Sequence, residues 1–298
     1  MNTNSGEKRF CVIGCGRVGI NLAVFLSLQG YGPAAFASRT RDSARAAATH
    51  VRKSRVFDDP ADAAGESAII FITTPDTRIE PVCEHMAAAG AFSENSVVFH
   101  LSGALSSEIL ESARKKGAAT GSLHPLQAFT PYAPDNASPF EGINMSIEGT
   151  PRAQALGREI VGALQAKPFT IPTEAKTLYH AAAVVASNYL VTVEHFALTL
   201  LGRAGLDHAR AFEILEPLIQ GTLKNIGARG SVTALTGPVV RGDAAIIARH
   251  LADIDAQLPQ FSDLYRLLGQ YTLEIARLRP DFPKAADQIL SGLLKKTP

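Results

Sequence analysis

Phe10-Cys11-Val12-Ile13-Gly14-Cys15-Gly16-Arg17-Val18-Gly19-Ile20-Asn21-Leu22 decides how this chain is read. Four apolar residues form a short strand-like run that stops at a glycine. The pattern G-x-G-x-x-G then passes into residues with helical spacing. A strand that turns tightly into a helix needs a residue without a Cβ at the turn, and it leaves the first helical N–H groups without intrahelical acceptors. Those groups, reinforced by the helix dipole, attract an anion, and the second glycine lets a diphosphate reach the backbone. Gly14, Gly16, Arg17, Val18 and Gly19 are therefore candidate pyrophosphate-binding residues. Taken alone, the same residues would serve a glycine-rich turn before an ordinary helix, so the surrounding pattern has to decide.

Outward from that stretch, short β-branched runs alternate with Ala-rich helical stretches, the signature of βαβ units building a parallel sheet. Strands are expected at Phe10–Ile13, Ala34–Ser38, Ala68–Thr73, Val97–Leu101, Ala119–Leu123 and Asn144–Ile147. Helices are expected near Arg17–Gln29, Arg41–Val51, Ile79–Ala88 and Ser106–Lys116. From about Thr173 the β-branched runs give way to long helical spacing. Pro172-Thr173 supplies a start and Gly205 a stop for a helix of about 46 Å at 1.5 Å per residue. Further helices are expected at Asp207–Ile226, Asp243–Asp255, Gln260–Arg277 and Pro283–Leu294, with Asp243 as an N-cap. The fold class is thus α/β, a doubly wound Rossmann domain over residues 1–171 followed by an all-α C-terminal domain over 172–298. No internal repeat interrupts either part.

Composition supports two packed cores, because 298 residues exceed what one core normally organises and 46% hydrophobic against 19% charged argues against disorder. With Lys+Arg 29 against Asp+Glu 28 there is no net field to hold nucleic acid or an acidic membrane. Cys11, Cys15 and Cys83 are too few for a disulfide framework and have no second ligand pair, so they read as buried or reactive thiols and no metal is expected. Phe10–Leu28 after Lys8-Arg9 has the outline of a signal peptide, but Gly14, Gly16, Arg17, Gly19 and Asn21 break the apolar region. No run is expected to span a bilayer, since even Ala181–Val193 contains Ser187 and Asn188. The expected location is the cytoplasm.

An NAD-binding unit of this type places an acidic residue at the end of its second strand to accept from the ribose 2′-OH. Here that strand ends Ala37-Ser38-Arg39-Thr40-Arg41, with hydroxyls and guanidinium groups suited to a 2′-phosphate. Ser38, Arg39 and Thr40 therefore favour NADP(H) over NAD(H), the plain alternative being a solvated helix start. Ligands in open α/β sheets sit beyond the carboxyl ends of strands. Thr73-Thr74-Pro75-Asp76 and Ser102-Gly103 stand at two such ends, and Thr73, Thr74, Pro75, Ser102 and Gly103 join the cofactor candidates, although Pro-Asp and Ser-Gly also simply end strands. His124, ahead of Pro125 at a strand-to-loop transition, is a further candidate, against a loop that only places its apolar neighbours. The segment Thr130–Pro139 reads as a connection or lid, and Arg241 either supports the Asp243 cap or anchors an anion.

Three stretches carry a resemblance: the glycine motif, Ser122-Leu123-His124-Pro125-Leu126-Gln127-Ala128-Phe129, and Lys176-Thr177-Leu178-Tyr179-His180-Ala181-Ala182-Ala183 with Ala186-Ser187-Asn188-Tyr189. Through them the chain resembles the Rossmann-like proteins with a helical DUF2520-type domain, a family labelled as NADP oxidoreductases. It is similar in layout to the β-hydroxyacid dehydrogenases and pyrroline-5-carboxylate reductases. In the former, a helix after the Rossmann domain carries a proton-donating Lys and, four residues later, an Asn. Lys176 matches the first position and His180 stands in the second. On an ideal helix these two are about 40° apart, while Asn188 lies about 120° from Lys176 and joins only if the helix bends. A surface lysine and a satisfied core histidine are the plain alternatives.

The resemblance implies catalytic roles for Lys176, His180 and Asn188 in hydride transfer between NADP(H) and a small carbonyl, hydroxy acid or imine, in a crevice between the domains. A homodimer packed through the long helices is expected, with a small-molecule substrate as the other partner. A non-catalytic NADP(H) sensor and a pyrroline-5-carboxylate-reductase-like imine reductase are the alternatives.

Overall fold

In the computed structural model, which describes residues 8–32 and 34–295, eight strands form one sheet in the order β3-β2-β1-β4-β5-β6-β7-β8. They are β1 (Phe10–Ile13), β2 (Ala34–Ala37), β3 (Arg55–Val56), β4 (Ile69–Ile72), β5 (Val97–His100), β6 (Ala119–Pro125), β7 (Asn144–Gly149) and β8 (Lys167–Thr170). Every neighbouring pair is parallel except β6 with β7. The chain leaves β1 towards β2 on one side and returns to β4 on the other, and the strand order reverses there. Such a reversal opens a crevice at the carboxyl ends of the two strands.

The strands are short and apolar on both faces because helices cover both. Phe10, Val12, Phe71, Phe99 and Leu123 face one core with α1 (Arg17–Leu28), α2 (Arg41–Ala48) and α6 (Pro151–Ala163). Cys11, Ile13, Ile70, Ile72 and Val98 face the other with α3 (Pro60–Gly65), α4 (Ile79–Ala88) and α5 (Glu111–Arg114). The expected strands are all present. Strands β3 and β8 and helices α3 and α6 are additional, and the segment expected as one helix at Ser106–Lys116 is a 3-10 turn, Ser107–Leu110, leading into α5.

Chain contacts divide the molecule into two units, residues 1–187 and 188–298. Residues 172–187, expected with the helical part, pack in the first unit. The reason is α7 (Lys176–Val184), whose Lys176 is only 2% exposed and bonds to the sheet. The long helix runs as a 3-10 turn Thr173–Ala175, α7, a π turn Val185–Tyr189, and α8 (Leu190–Arg203). A π turn adds a residue to one helical turn and changes the rotational phase of everything after it, so the ideal-helix angle drawn to Asn188 does not hold. By length and composition Thr173–Arg203 would suffice to cross a membrane, with a mean hydropathy of 1.4 and 6% of its most apolar window buried. That corrects the expectation that no segment would, because Ser187 and Asn188 are outweighed by their Ala, Val and Leu neighbours.

The second unit is helical: α8, α9 (His208–Ala234), α10 (Pro238–Arg241), α11 (Ala244–Gln257), α12 (Ser262–Arg277) and α13 (Lys284–Leu294). α9 contains Pro217 and kinks at Gly230, where φ is 75°. The core of this unit joins Val239, Ile247, Leu251, Leu273, Phe282, Leu290 and Leu294 from α10 to α13 and the segment before the last helix. Asp243 does occupy the N-cap of α11, but its side chain caps no N–H, because its carboxylate accepts from Arg241 Nε at 2.9 Å.

Candidate functional site

The turn from β1 into α1 is built by contacts that leave one position bare. Gly14 takes φ +103°, open to glycine at little cost, and a Cβ there would come within 2.8 Å of Thr74 N. A Cβ on Gly19 would strike the Gly14 carbonyl and the Thr73 hydroxyl. Thr73 itself donates its hydroxyl to Gly14 O, so it shapes the loop from β4. At Gly16 a Cβ would meet no atom within 4 Å, and this residue N-caps α1 without a side-chain hydrogen bond. The first turn of α1 holds no acidic residue, and no side chain caps its N–H groups. Asn21 secures the turn from behind, donating to Arg17 O at 2.8 Å and to Thr130 O at 3.4 Å. Thr74 Oγ1 is buried without a partner beside Gly14, and Pro75 begins the short turn into Asp76.

At the end of β2, Ser38 Oγ accepts from Cys15 N at 3.4 Å, so the second strand also braces the loop. Thr40 N-caps α2, accepting from Ser43 N at 3.3 Å, which gives its hydroxyl a structural duty. Arg41 pairs with Asp58, while Arg39 is exposed and, among the described residues, engaged by no hydrogen bond or ion pair. Burial pushes the thiols of Cys11 and Cys15 up to about 12, so both are inert at neutral pH. Among the described residues no group of three His, Cys, Asp or Glu is placed to hold a metal ion.

A second cluster forms further along the same carboxyl edge, and sheet register explains it. His100 is the partner of Ser122, Ser122 of Glu148, and His124 of Ser146. Direct partners share a face, as do residues two apart on one strand. β5, β6 and β7 therefore present a polar row on the face opposite Phe99 and Leu123. α7 lowers Lys176 onto that row. Its Nζ donates to Ser102 O and to Ser122 Oγ, each at 2.8 Å.

Apart from Ser146, whose Oγ is buried without a hydrogen-bond partner, the members of the row are tied down. His100, with 0% exposure, accepts from Ser102 N at its Nδ1 and reaches Ser106 O with its Nε2, both at 3.1 Å. Glu148 accepts from Ser107 N and Ser107 Oγ at 2.7 Å and from Thr173 Oγ1 at 3.3 Å. Ser102 Oγ donates to Asp76 Oδ2 at 2.9 Å and accepts from Ala104 N and Leu105 N. His124 Nδ1 meets the Tyr179 hydroxyl at 2.8 Å. Above them Gly103 admits two rings: its Cβ would lie 2.5 Å from His180 Nδ1 and 2.7 Å from His124 Nε2.

The electrostatics follow from burial and the one cation. Burial lowers the Lys176 ammonium to about 8, against the opposing pull of Glu148 and Asp76. Burial, then Lys176, lowers His100 to about 3 and His124 to about 4, so both rings are neutral at physiological pH. Burial raises the Tyr179 phenol, opposed by the Ser146 hydroxyl. His180 Nδ1 is buried with no hydrogen-bond partner, an arrangement that costs free energy unless a ligand supplies the missing bond.

Of the expected site residues, the structure thus groups the glycine loop with Ser38, Thr73 and Thr74, and groups Lys176, His180, His124, Ser102 and Gly103. Asn188 is exposed and begins the second unit. Sequence reasoning did not find His100 or Glu148 as site residues; Ser122 and Tyr179 stood in the stretches that carry the resemblance, and Asp76 at a strand end facing the crevice, none with a role of its own. The one local signal was a histidine and a glutamate interrupting otherwise apolar strands. A depression of about 590 Å³ lies at the amino-terminal edge of the sheet instead, lined by Arg9, Ser67, Ser96 and Arg152 among others. It holds none of this cluster, and Arg152 is spent on the Glu94 and Asn95 carbonyls.

Residues 3–125 match the model of a Rossmann-like domain, and residues 143–272 match that of DUF2520, a domain of unknown function. No curated protein matches the chain. Among solved structures, the putative NADP oxidoreductase BF3122 from Bacteroides fragilis is 24% identical, with 91% of this chain and 100% of that one covered at a TM-score of 0.74. Protein TM1727 from Thermotoga maritima is 26% identical, with 90% and 98% covered at 0.66. A pyrroline-5-carboxylate reductase from Coxiella burnetii is 16% identical, with 97% and 100% covered at 0.58. The chain is a Rossmann-like protein that carries a DUF2520 domain.

Proposed function

We propose that this protein is an NADP(H)-dependent oxidoreductase acting on a small carbonyl compound, hydroxy acid or imine, and that it works in the cytoplasm as a homodimer. The observation that carries this reading is a buried lysine–histidine cluster on the same carboxyl edge of the sheet as an uncovered glycine loop. The fit to a dinucleotide is specific. Gly16 leaves room at the helix start, the first-turn N–H groups lack a side-chain cap, and Thr74 Oγ1 is a buried atom in want of a partner. Arg39 is the unengaged cation at the end of β2, where a 2′-phosphate would lie and where NAD-type sites place an acid. The name of the Bacteroides protein supports the same cofactor.

When bound, the nicotinamide supplies or receives the hydride. Gly14, Gly16, Arg17, Val18 and Gly19 hold the diphosphate through backbone N–H groups, and Ser38, Arg39 and Thr40 hold the adenosine end. Lys176, His124 and His180 govern the proton, in a site whose burial strengthens each of these interactions.

Two measurements test this. NADPH and NADH fluorescence titrations on the wild type and Arg39→Ala are expected to show a preference for NADPH that the substitution lowers by about tenfold or more, with NADH unaffected. Oxidation of NADPH is then followed over a panel of small oxo acids, aldehydes and cyclic imines. Binding with no turnover favours a sensor, and absence of nucleotide binding overturns the reading outright.

A further inference from the structure

Lys176 offers little to a substrate. It is 2% exposed, and two of its three ammonium protons are committed at 2.8 Å to Ser102 O and Ser122 Oγ. Those bonds tie the segment after β5 to the middle of β6. The histidines are placed differently. His180 Nδ1 and His124 Nε2 close on the bare face of Gly103 from two sides, 2.5 and 2.7 Å from where a Cβ would stand. At ordinary hydrogen-bond lengths of about 2.9 Å, one ligand atom can bond to both nitrogens. Among the described residues neither nitrogen has a hydrogen-bond partner, and His180 Nδ1 is buried. The other nitrogen of His124 is already held by Tyr179 at 2.8 Å.

We propose that the proton exchanged with the substrate passes through His180, that the neutral ring of His124 holds the reacting oxygen or nitrogen beside it, and that Lys176 is a positioning residue beneath both. The proposal rests on the hydride-transfer reading above and assigns the roles within it. In this assignment the Tyr179 hydroxyl is the donor to His124 Nδ1, which leaves the ring proton on Nε2 and makes that atom a donor to the substrate. The titratable groups that act on the pair are Lys176 and Tyr179 from α7 and His100 at the end of β5, while Glu148 from β7 and Asp76 after β4 act on Lys176. The ammonium of Lys176 holds His124 neutral, with burial as the larger cause. A neutral imidazole that polarises a carbonyl is an established catalytic device.

In the reductive direction bound NADPH would supply the hydride to the carbonyl carbon and would itself be oxidised to NADP+. As the C=O π bond opens, the oxygen takes the Nδ1 proton of His180 in its imidazolium form, the ring is left neutral, and solvent returns a proton to it. An imine follows the same course with nitrogen as the acceptor.

The test uses full-length protein and NADPH with the best substrate of the panel. His180→Ala is expected to lower kcat about 100-fold or more with KM nearly unchanged, and to regain rate with added imidazole. Lys176→Met is expected to lower kcat less, and to gain nothing from added methylamine. NADPH affinity is expected to be unchanged in both. Methylamine rescue of Lys176→Ala without imidazole rescue of His180→Ala would overturn the assignment, and this comparison stands even if Lys176→Met does not fold. A wild type that fails to bind NADPH fails the underlying reading, whereas one that turns over with Lys176 as the rate-determining acid fails this inference alone.

Discussion

His100 ends β5 with no exposed surface, both ring nitrogens bonded to backbone and a lysine ammonium close by. Burial and that cation hold its ring neutral down to about pH 3, whereas in the unfolded chain an imidazole takes up a proton near pH 6.5. Between those values the unfolded state binds more protons than the folded one, so stability falls as pH falls. The contribution is fully present above pH 6.5 and shrinks on acidification, by on the order of 3 kcal/mol at pH 4. His124, lowered to about 4, adds in the same direction. Thermal melts from pH 7.5 to 4 are expected to show a steep loss of Tm below pH 6.5. In His100→Asn the slope is expected to be shallower, even though the variant starts from a lower Tm. Equal slopes in the two proteins would mean that His100 does not carry this linkage.

At the scale of elements, the β1–α1 turn sets two glycines three residues apart under opposite constraints. Gly19 is packed against backbone, so Gly19→Ala must displace the loop and is expected to cost about 1–3 kcal/mol of stability. Gly16 faces open space, so Gly16→Ala is expected to cost about 1 kcal/mol or less at the N-cap while weakening nucleotide binding by crowding the diphosphate. Denaturant melts and NADPH titration of the two variants separate the effects. A Gly16→Ala protein with unchanged NADPH affinity would remove the diphosphate from this turn. That turn, with β1, β2 and β4 to β7, was legible in the sequence because apolar β-branched runs and glycine spacing are local signals. β3 is two residues long, and β8 carries Lys167 and Pro168, so neither presents an apolar run. α6 opens on Thr150-Pro151, a start signal, but Gly157 and Gly162 dilute its helical pattern. Lys176 and His180 were reached through resemblance, and His124 also from its place at a strand-to-loop transition. His100 and Glu148 gain meaning only when β5, β6 and β7 align in register, and no local stretch encodes that alignment. Nor does spacing reveal the π turn at Val185–Tyr189, which depends on how the helix is held at both ends.

For the whole molecule, the second unit shows apolar surface that its own core does not use. Its buried clusters lie in α10 to α13 and around Phe196 of α8, yet α9 carries Phe212 at 50% and Leu218 at 67% exposure, with Ile214, Leu223 and Ile226 also exposed. α8 adds Leu190 and Val191, next to the exposed Val185 and Tyr189 of the π turn. So many large apolar side chains left exposed along one helix favour a surface that a partner covers. A second copy of the chain is the occupant we favour, because a twofold axis sets one apolar patch against its own image and buries both at once. A long apolar helix beside it would also suit lipid, which makes the discriminating measurement clear. Light scattering after size exclusion is expected to give twice the 31.6 kDa chain mass without detergent. The double variant Phe212→Glu, Leu218→Glu is expected to shift the protein to the monomer, with NADPH binding by the first unit retained. A wild-type monomer in buffer, or a protein that stays dispersed only with detergent or vesicles, would refute the dimer and turn the same surface towards a membrane.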